Sequence, residues 1–442
     1  MRGTRSTALT AGISAAVGLA LVVTAMVVPQ LWDRDVRVHW PPLHADWDPH
    51  FDPRLLVTIA VGLAIWAALP VVADRFSWAA TVVLSTVASW VWVMALALSD
   101  GRDGLAHIYE RPGEYLYDAV RVNDIGQALS TFIDRMPRGS PDHWHIHVSG
   151  HPPGALLSFV LLDRIGISDP FWVGVAVVTL GATGVAAVLL SLDALGSREL
   201  ARRAAPWLAL APMAAWAGSG ETLWAAVAAW GLCLLAVACT RGSPVLAALA
   251  GLLLGLSLYL AYGLVLFGLL ALVVFGLTRA WRLLPWAAIG VAAVVGAFWA
   301  VGFAWWEAYP VLRERYFAGI ASERPYTYWV WADLAAWTFT VGLVTWAAFP
   351  RTWTRASRRE PLAALALAAL AAIVIASLSG MSKAEVERIW LPFTLWIVTV
   401  PALLPPSWRR PLLLSQVALG VAAQALLSPV ALSAGAQNLL TR

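Results

Sequence analysis

Phe171-Trp-Val-Gly-Val-Ala-Val-Val-Thr-Leu-Gly-Ala-Thr-Gly-Val-Ala-Ala-Val-Leu-Leu-Ser-Leu192 runs for 22 residues without a charge. At 1.5 Å per helical residue, that is enough to cross a hydrocarbon core about 30 Å thick. The run lacks the period-two alternation of a membrane barrel strand. Lipid offers backbone amides no partner, so the stretch must be helical. Comparable segments recur at 8–29, 55–73, 77–98, 204–217, 221–239, 244–260, 262–278, 283–306, 328–348, 362–379, 388–404 and 410–430. With 171–194 they predict an all-α, polytopic transmembrane bundle of about 11–13 spans, a single membrane domain over residues 1–442. The first segment carries no small-residue cleavage site and reads as a retained anchor.

Composition agrees. Of 442 residues 60% are hydrophobic and 13% charged, against about 25% charged in an ordinary soluble domain, and the mean hydropathy is +0.72. The net charge of +4 is diluted among apolar residues, which argues against nucleic acid and for basic membrane loops. Cys233 and Cys239 share one predicted span and read as small apolar residues. Lys383 is the only lysine, an arginine preference that fits a GC-rich bacterial genome. Arginines cluster at 2 and 5, at 198–203, at 279 and 282, at 351–359 and at 409–410. Short cytoplasmic loops retain positive charge, so that side is expected to be the cytoplasm of a bacterial plasma membrane. The alternation closes if Pro152 to Ile165, short for a span, is re-entrant or interfacial.

Four polar segments then share the outer face: 31–54, 99–154, 307–327 and 380–388. All eight histidines fall in the first two. Long loops in a tightly wound membrane protein are where function concentrates. The second carries Glu114-Tyr-Leu-Tyr-Asp118, then Asn123-Asp124-Ile-Gly-Gln-Ala-Leu-Ser-Thr-Phe132, then His143-Trp-His145-Ile-His147-Val-Ser-Gly-His151-Pro152-Pro153-Gly154.

That succession of acid, short helix and basic residue before tandem prolines resembles the first extracytoplasmic loop of the GT-C superfamily of polyprenyl-phosphate-dependent glycosyltransferases. Aminoarabinose transferases and protein O-mannosyltransferases carry there an Asp-Glu pair, an amphipathic helix and a Lys-Pro-Pro or His-Pro-Pro motif. Leu195-Gly-Ser-Arg-Glu-Leu-Ala-Arg-Arg203 is similar to the family's basic connector, Gly220-Glu221-Thr-Leu to its acidic helix opening, and Gly251 to Gly263 to its Gly-rich helix pair. The pair is Asn123-Asp124 here, and two helices precede the loop where many members have one. The catalytic base is thus open between Asp118 and Asp124. The resemblance also implies a basic or imidazole group at His151.

In such chemistry a carboxylate takes the acceptor's proton while cations hold the departing phosphate. His143, His145 and His147 alternate, so an extended segment would turn them to one face. They are either ligands of a divalent metal or hydrogen-bond donors to lipid phosphate or sugar, His147 being the phosphate candidate. In Ser382-Lys-Ala-Glu-Val-Glu-Arg-Ile-Trp390, Lys383 and Glu387 are spaced to pair on a helix. Either this is an interfacial cap, or Lys383 and Arg388 contact the lipid phosphate with Glu387 positioning Arg388. The third loop, with Arg313, Arg315, Glu323 and Arg324, reads as an interfacial helix or a sugar groove.

The expected protein is therefore an inverting GT-C type glycosyltransferase, a hexosyl- or pentosyltransferase. Its donor is a polyprenyl-phosphate sugar, and its acceptor a cell-envelope glycan, glycolipid or protein. The alternatives are a transporter or flippase of a lipid-linked precursor and a non-catalytic subunit of an envelope-synthesis complex.

Overall fold

Apolar length without charge makes helices here, and proline decides where they stop. The computed structural model describes residues 2–111 and 113–429. The side chains of Arg2 and Arg5 and the end of the last expected span at residue 430 lie outside the described residues. Among those described, eight helices are long and apolar enough to cross a membrane: Ser6–Leu31, Arg54–Arg75, Trp78–Asp100, Pro170–Ala194, Gly220–Arg241, Trp281–Ala300, Tyr326–Ala356 and Pro361–Ser379. Leu391–Leu403 and Pro406–Leu426 make a ninth if taken as one span bent by 112°. The protein is a multi-pass, all-helical membrane protein. Among the described residues strand is confined to Ala45–Trp47, paired antiparallel with Leu427–Pro429.

This is fewer than the 11–13 spans expected, and the shortfall follows proline and charge. Segment 204–217 is instead the 12-residue helix Arg198–Ala209, which carries Arg202 and Arg203, followed by a tight turn of 3-10 helix from Pro212 to Trp216. Segment 388–404 breaks into Val386–Ile389, Leu391–Ile397 and Val400–Leu403, with Pro392 and Pro401 at the first turns of the last two. Pro244–Leu258 and Tyr262–Thr278 are apolar but short. Pro153–Arg164, opened by the tandem prolines, has 12 residues, about 18 Å of helix, and falls short of the bilayer.

Small residues let these helices approach backbone to backbone. A Cβ at Gly251 would stand 2.0 Å from the Ala287 carbonyl oxygen and one at Gly290 2.1 Å from that of Ala248, so the Pro244–Leu258 and Leu284–Ala300 helices touch at their main chains. Gly154 serves the same purpose at the tandem prolines, where a Cβ would meet the Tyr259 carbonyl at 2.4 Å. That contact seats the Pro-Pro turn against the break between two helices.

The two ends of the bundle differ. At one, arginines cap helix carbonyls: Arg202 Nη1 donates to Ala73 O and Phe76 O at 3.0 Å, Arg203 Nη2 to Leu404 O at 2.7 Å, and Arg359 Nη2 to Gly276 O at 2.6 Å. At the other, the four polar segments knit together. Arg37 pairs with Glu323 at 2.6 Å, His44 N donates to Glu387 Oε1 at 3.1 Å, Arg315 Nη2 to Trp144 O at 3.0 Å, and Arg324 Nη1 to Lys383 O at 2.7 Å.

Candidate functional site

Where the polar segments meet, they enclose a cavity of about 590 Å³. Its wall takes His143, His145, His147 and His151 from the second loop, Glu221 from the start of the Gly220–Arg241 helix, and Arg315 and Arg324 from the third loop. Lys383, Glu385 and Arg388 come from the fourth, while Tyr262, Trp305 and Ile375 supply an apolar side. The tandem-proline segment and the segment ahead of Trp390 thus face one space.

The centre is Arg388. Its Nη1 is bonded to Glu221 Oε1, and its Nη2 to Glu385 Oε2 at 2.5 Å. Arg324 Nη1 is 3.8 Å from the other oxygen of Glu385. A buried guanidinium needs such anions, because the interior repays desolvation only through close, hydrogen-bonded pairing. These carboxylates hold the Arg388 guanidinium well above its usual range. Arg388 and its neighbours hold Glu385 well below the carboxylate range despite burial.

Two consecutive left-handed residues put Glu385 there, Ala384 at φ 66° and Glu385 at φ 60°. A left-handed alanine is strained, and such strain persists only where surroundings over-determine it. Here they do. Ala384 N donates to the buried Asp333 carboxylate at 3.0 Å, and Lys383 N to Tyr316 Oη at 3.0 Å. Lys383 Nζ donates to Ala321 O at 2.9 Å and Arg324 O at 3.1 Å.

These contacts revise the reading of the fourth loop. Lys383 lines the cavity and gives two of its ammonium N–H groups to the Ala321 and Arg324 carbonyls, which staples the fourth loop to the third. It does not pair with Glu387, because the backbone turns left-handed between them and no helix connects them. Glu387 does not position Arg388: it lies outside the cavity wall and accepts from His44 N, with Oε2 buried and unpartnered. Burial pushes its carboxyl up to about 7. Glu385 and Glu221 hold the arginine in its place.

The second loop has an order that its sequence alone conceals. One short helix, Tyr115–Ala119 with Glu114 at its N-cap, stands behind three of the cavity histidines. Asp118 Oδ1 is 2.9 Å from His145 Nδ1, and Oδ2 accepts from His145 N at 3.0 Å. Glu114 Oε1 is 3.2 Å from His147 Nε2. Tyr115 Oη is 2.7 Å from His151 Nδ1, which also lies 2.9 Å from His147 O. Burial pushes Glu114 up to about 8 and both His147 and His151 down to about 4. Glu114 thus carries the proton at neutral pH, and these two imidazoles are uncharged.

Of the two expected bases, neither lines the cavity. Asp124 caps the Ile125–Ser130 helix, accepting from Gln127 N at 3.0 Å. Asp118 lies behind His145 and reaches the cavity only through it. The alternating histidines do not form one extended face, since the chain turns helical at Ile146. His145 Nδ1 lies on Asp118 and His147 Nε2 on Glu114, and among the described residues no group of three or more His, Cys, Asp or Glu is placed to hold a metal ion.

Fold and site together define a multi-pass helical membrane protein with a charged cavity at one end of its bundle. No family model, no curated protein and no solved structure matches this chain. Glu114, Glu221 and Glu385 are the carboxylates at this cavity to which the sequence reading assigned no role. The signal for Glu221 was a lone acid opening an apolar span.

Proposed function

We propose that the chain is a membrane-embedded glycosyltransferase. It moves one sugar from a polyprenyl phosphate to a hydroxyl of a cell-envelope glycan, glycolipid or protein at the non-cytoplasmic face of a bacterial plasma membrane. The observation that carries this reading is one cavity whose wall combines two chemistries, the cations Arg388, Arg315 and Arg138 and the aromatic and apolar Tyr262, Trp305 and Ile375. A lipid phosphate needs that combination, cations for the headgroup and apolar wall for the first isoprene units. The cavity is large enough for a hexose beside a phosphate. A guanidinium already oriented by two carboxylates stabilises the leaving phosphate without reorganising during the reaction. The tandem-proline resemblance to GT-C enzymes points the same way.

The test is transfer of a radiolabelled sugar from polyprenyl phosphate to endogenous glycan by the purified protein in detergent. Arg388→Gln is expected to lower transfer by roughly 10²-fold or more. A flippase is the second reading, favoured by the 112° bend between Leu391–Leu403 and Pro406–Leu426 and by the non-helical Gly342 inside Tyr326–Ala356, since transporters are built on interrupted helices. Movement of the intact lipid across a vesicle without sugar transfer would select it.

A further inference from the structure

Sugar transfer to a hydroxyl needs a proton acceptor on the cavity wall, and most ionisable groups there are already committed. Glu221 and Glu385 are both spent on Arg388. Arg388 and its neighbours hold Glu385 so firmly ionised that it is a poor proton acceptor. His151 has its Nδ1 on Tyr115 and the His147 carbonyl, and His147 has its Nε2 on the protonated Glu114. Burial makes both weak bases. Asp124 lies outside the cavity, on a helix cap.

We infer, on the sugar-transfer reading above, that His145 is the residue that takes the acceptor's proton and that Asp118 is its positioning residue. Asp118 grips His145 twice, by the ring Nδ1 at 2.9 Å and by the backbone N at 3.0 Å. With Nδ1–H donated to a buried carboxylate, the basic lone pair sits on Nε2. Nε2 has no protein partner among the described residues, and the ring lines the cavity. Tyr117 holds the ring edge-on, its centroid 4.7 Å away. The side chain of Asp118 is 4% exposed and that of His145 18%, so the carboxylate is sealed behind the imidazole. A fixed imidazole in front and a carboxylate behind it is the arrangement by which a histidine gains a proton and keeps its orientation while charged.

The step balances. The acceptor O–H bond breaks and its proton goes to His145 Nε2. The oxygen's electron pair forms the new bond to the anomeric carbon. The carbon–oxygen bond to phosphate breaks, and its electron pair leaves with the polyprenyl phosphate. Asp118, hydrogen-bonded to the ring at Nδ1, holds in place the imidazolium, which returns its proton to water. The charged and titratable groups about this pair include Tyr117 with Arg121 over its ring, Arg135 and Arg315, which both interact with Asp118, His143 and His147 along the same segment, and Arg138 on the cavity wall.

The experiment is the rate of sugar transfer against pH for purified wild-type protein, His145→Gln, His145→Gly and Asp118→Asn. In the wild type kcat is expected to fall on the acid side. His145→Gln should lower kcat by roughly 10²- to 10⁴-fold and abolish that acid limb, with the KM for donor little changed. Added imidazole should restore part of the rate of His145→Gly. Asp118→Asn should lower kcat and move the acid limb, an effect that loss of packing alone does not produce. Full kcat with an unchanged acid limb in His145→Gln overturns the assignment. So does a loss confined to KM that imidazole does not relieve. A wild-type protein that transfers no sugar at all overturns the underlying reading and this assignment with it, a result distinct from a transferring enzyme indifferent to His145.

Discussion

The arginine end and the cavity end of the bundle use the same residue in opposite ways. Arg202, Arg203 and Arg359 lay their guanidiniums on carbonyls that helix termini leave open, and Arg409 pairs with Asp74, whose side chain is 49% exposed. At the cavity end Arg388 lies between two carboxylates, Glu221 with its side chain 4% exposed and Glu385 27%. The difference teaches that counting arginines orients a membrane protein but does not locate its chemistry; what locates it is a cation with buried acids around it.

The largest effect that would break this comparison is at Arg388. Arg388→Met strands Glu221 without its counter-charge and leaves Glu385 only Arg324 at 3.8 Å, and should destabilise the protein by about 3–5 kcal/mol, read as loss of thermal stability in detergent. An unchanged unfolding temperature would mean the cavity end is as solvated as the other.

The second effect is pH. Glu114 keeps its proton in the folded state to about pH 8, whereas an unfolded glutamate ionises near 4.5. The unfolded chain therefore binds fewer protons, and stability falls as pH rises towards 8. Glu387, raised to about 7, adds to the fall at lower pH. Histidines 147 and 151 act with the opposite sign. They stay neutral in the folded state down to about 4, so their contribution is lost as pH drops from 6.5. Between pH 7 and 8 Glu114 dominates, and Glu114→Gln should flatten the slope and recover on the order of a few kcal/mol. Unfolding temperatures measured across that interval check it.

A smaller change is expected at Asp333→Leu, which leaves the Ala384 N–H unsatisfied beneath the left-handed turn, about 1–3 kcal/mol. Smallest is Arg409→Gln at the arginine end, about 0–1 kcal/mol as for other exposed pairs. Chemical denaturation of the two variants side by side sharpens the contrast.

How far all this was legible varies with the physics involved. Long spans such as Pro170–Ala194 are plain in sequence because hydrocarbon thickness sets a length that composition alone can meet. Segments 204–217 and 388–404 were not, because average hydropathy ignores what Pro206, Pro212, Pro392 and Pro401 do to a helix. In the site, the histidines and Arg388 could be picked out as ionisable residues beside apolar runs. Their partners could not. Glu387 looked like the companion of Lys383 only if residues 383–387 were helical, and the left-handed pair Ala384–Glu385 turns a different carboxylate onto the arginine. Asp118 was found for its place in a motif, but its role depends on an imidazole far along the chain, a pairing that no local spacing encodes.

The short ladder between Ala45–Trp47 and Leu427–Pro429 bears on how the chain is made. Its first strand emerges from the ribosome early, and its partner is among the last segments described. The opening loop must therefore wait, with that backbone edge unmatched, until nearly every helix has been inserted. A chain truncated before Leu427 would leave that edge unmatched, with the loop held by Arg37–Glu323 and His44–Glu387 alone among the ties described above. Protease cutting near Trp47 during synthesis would then report how late the fold is completed.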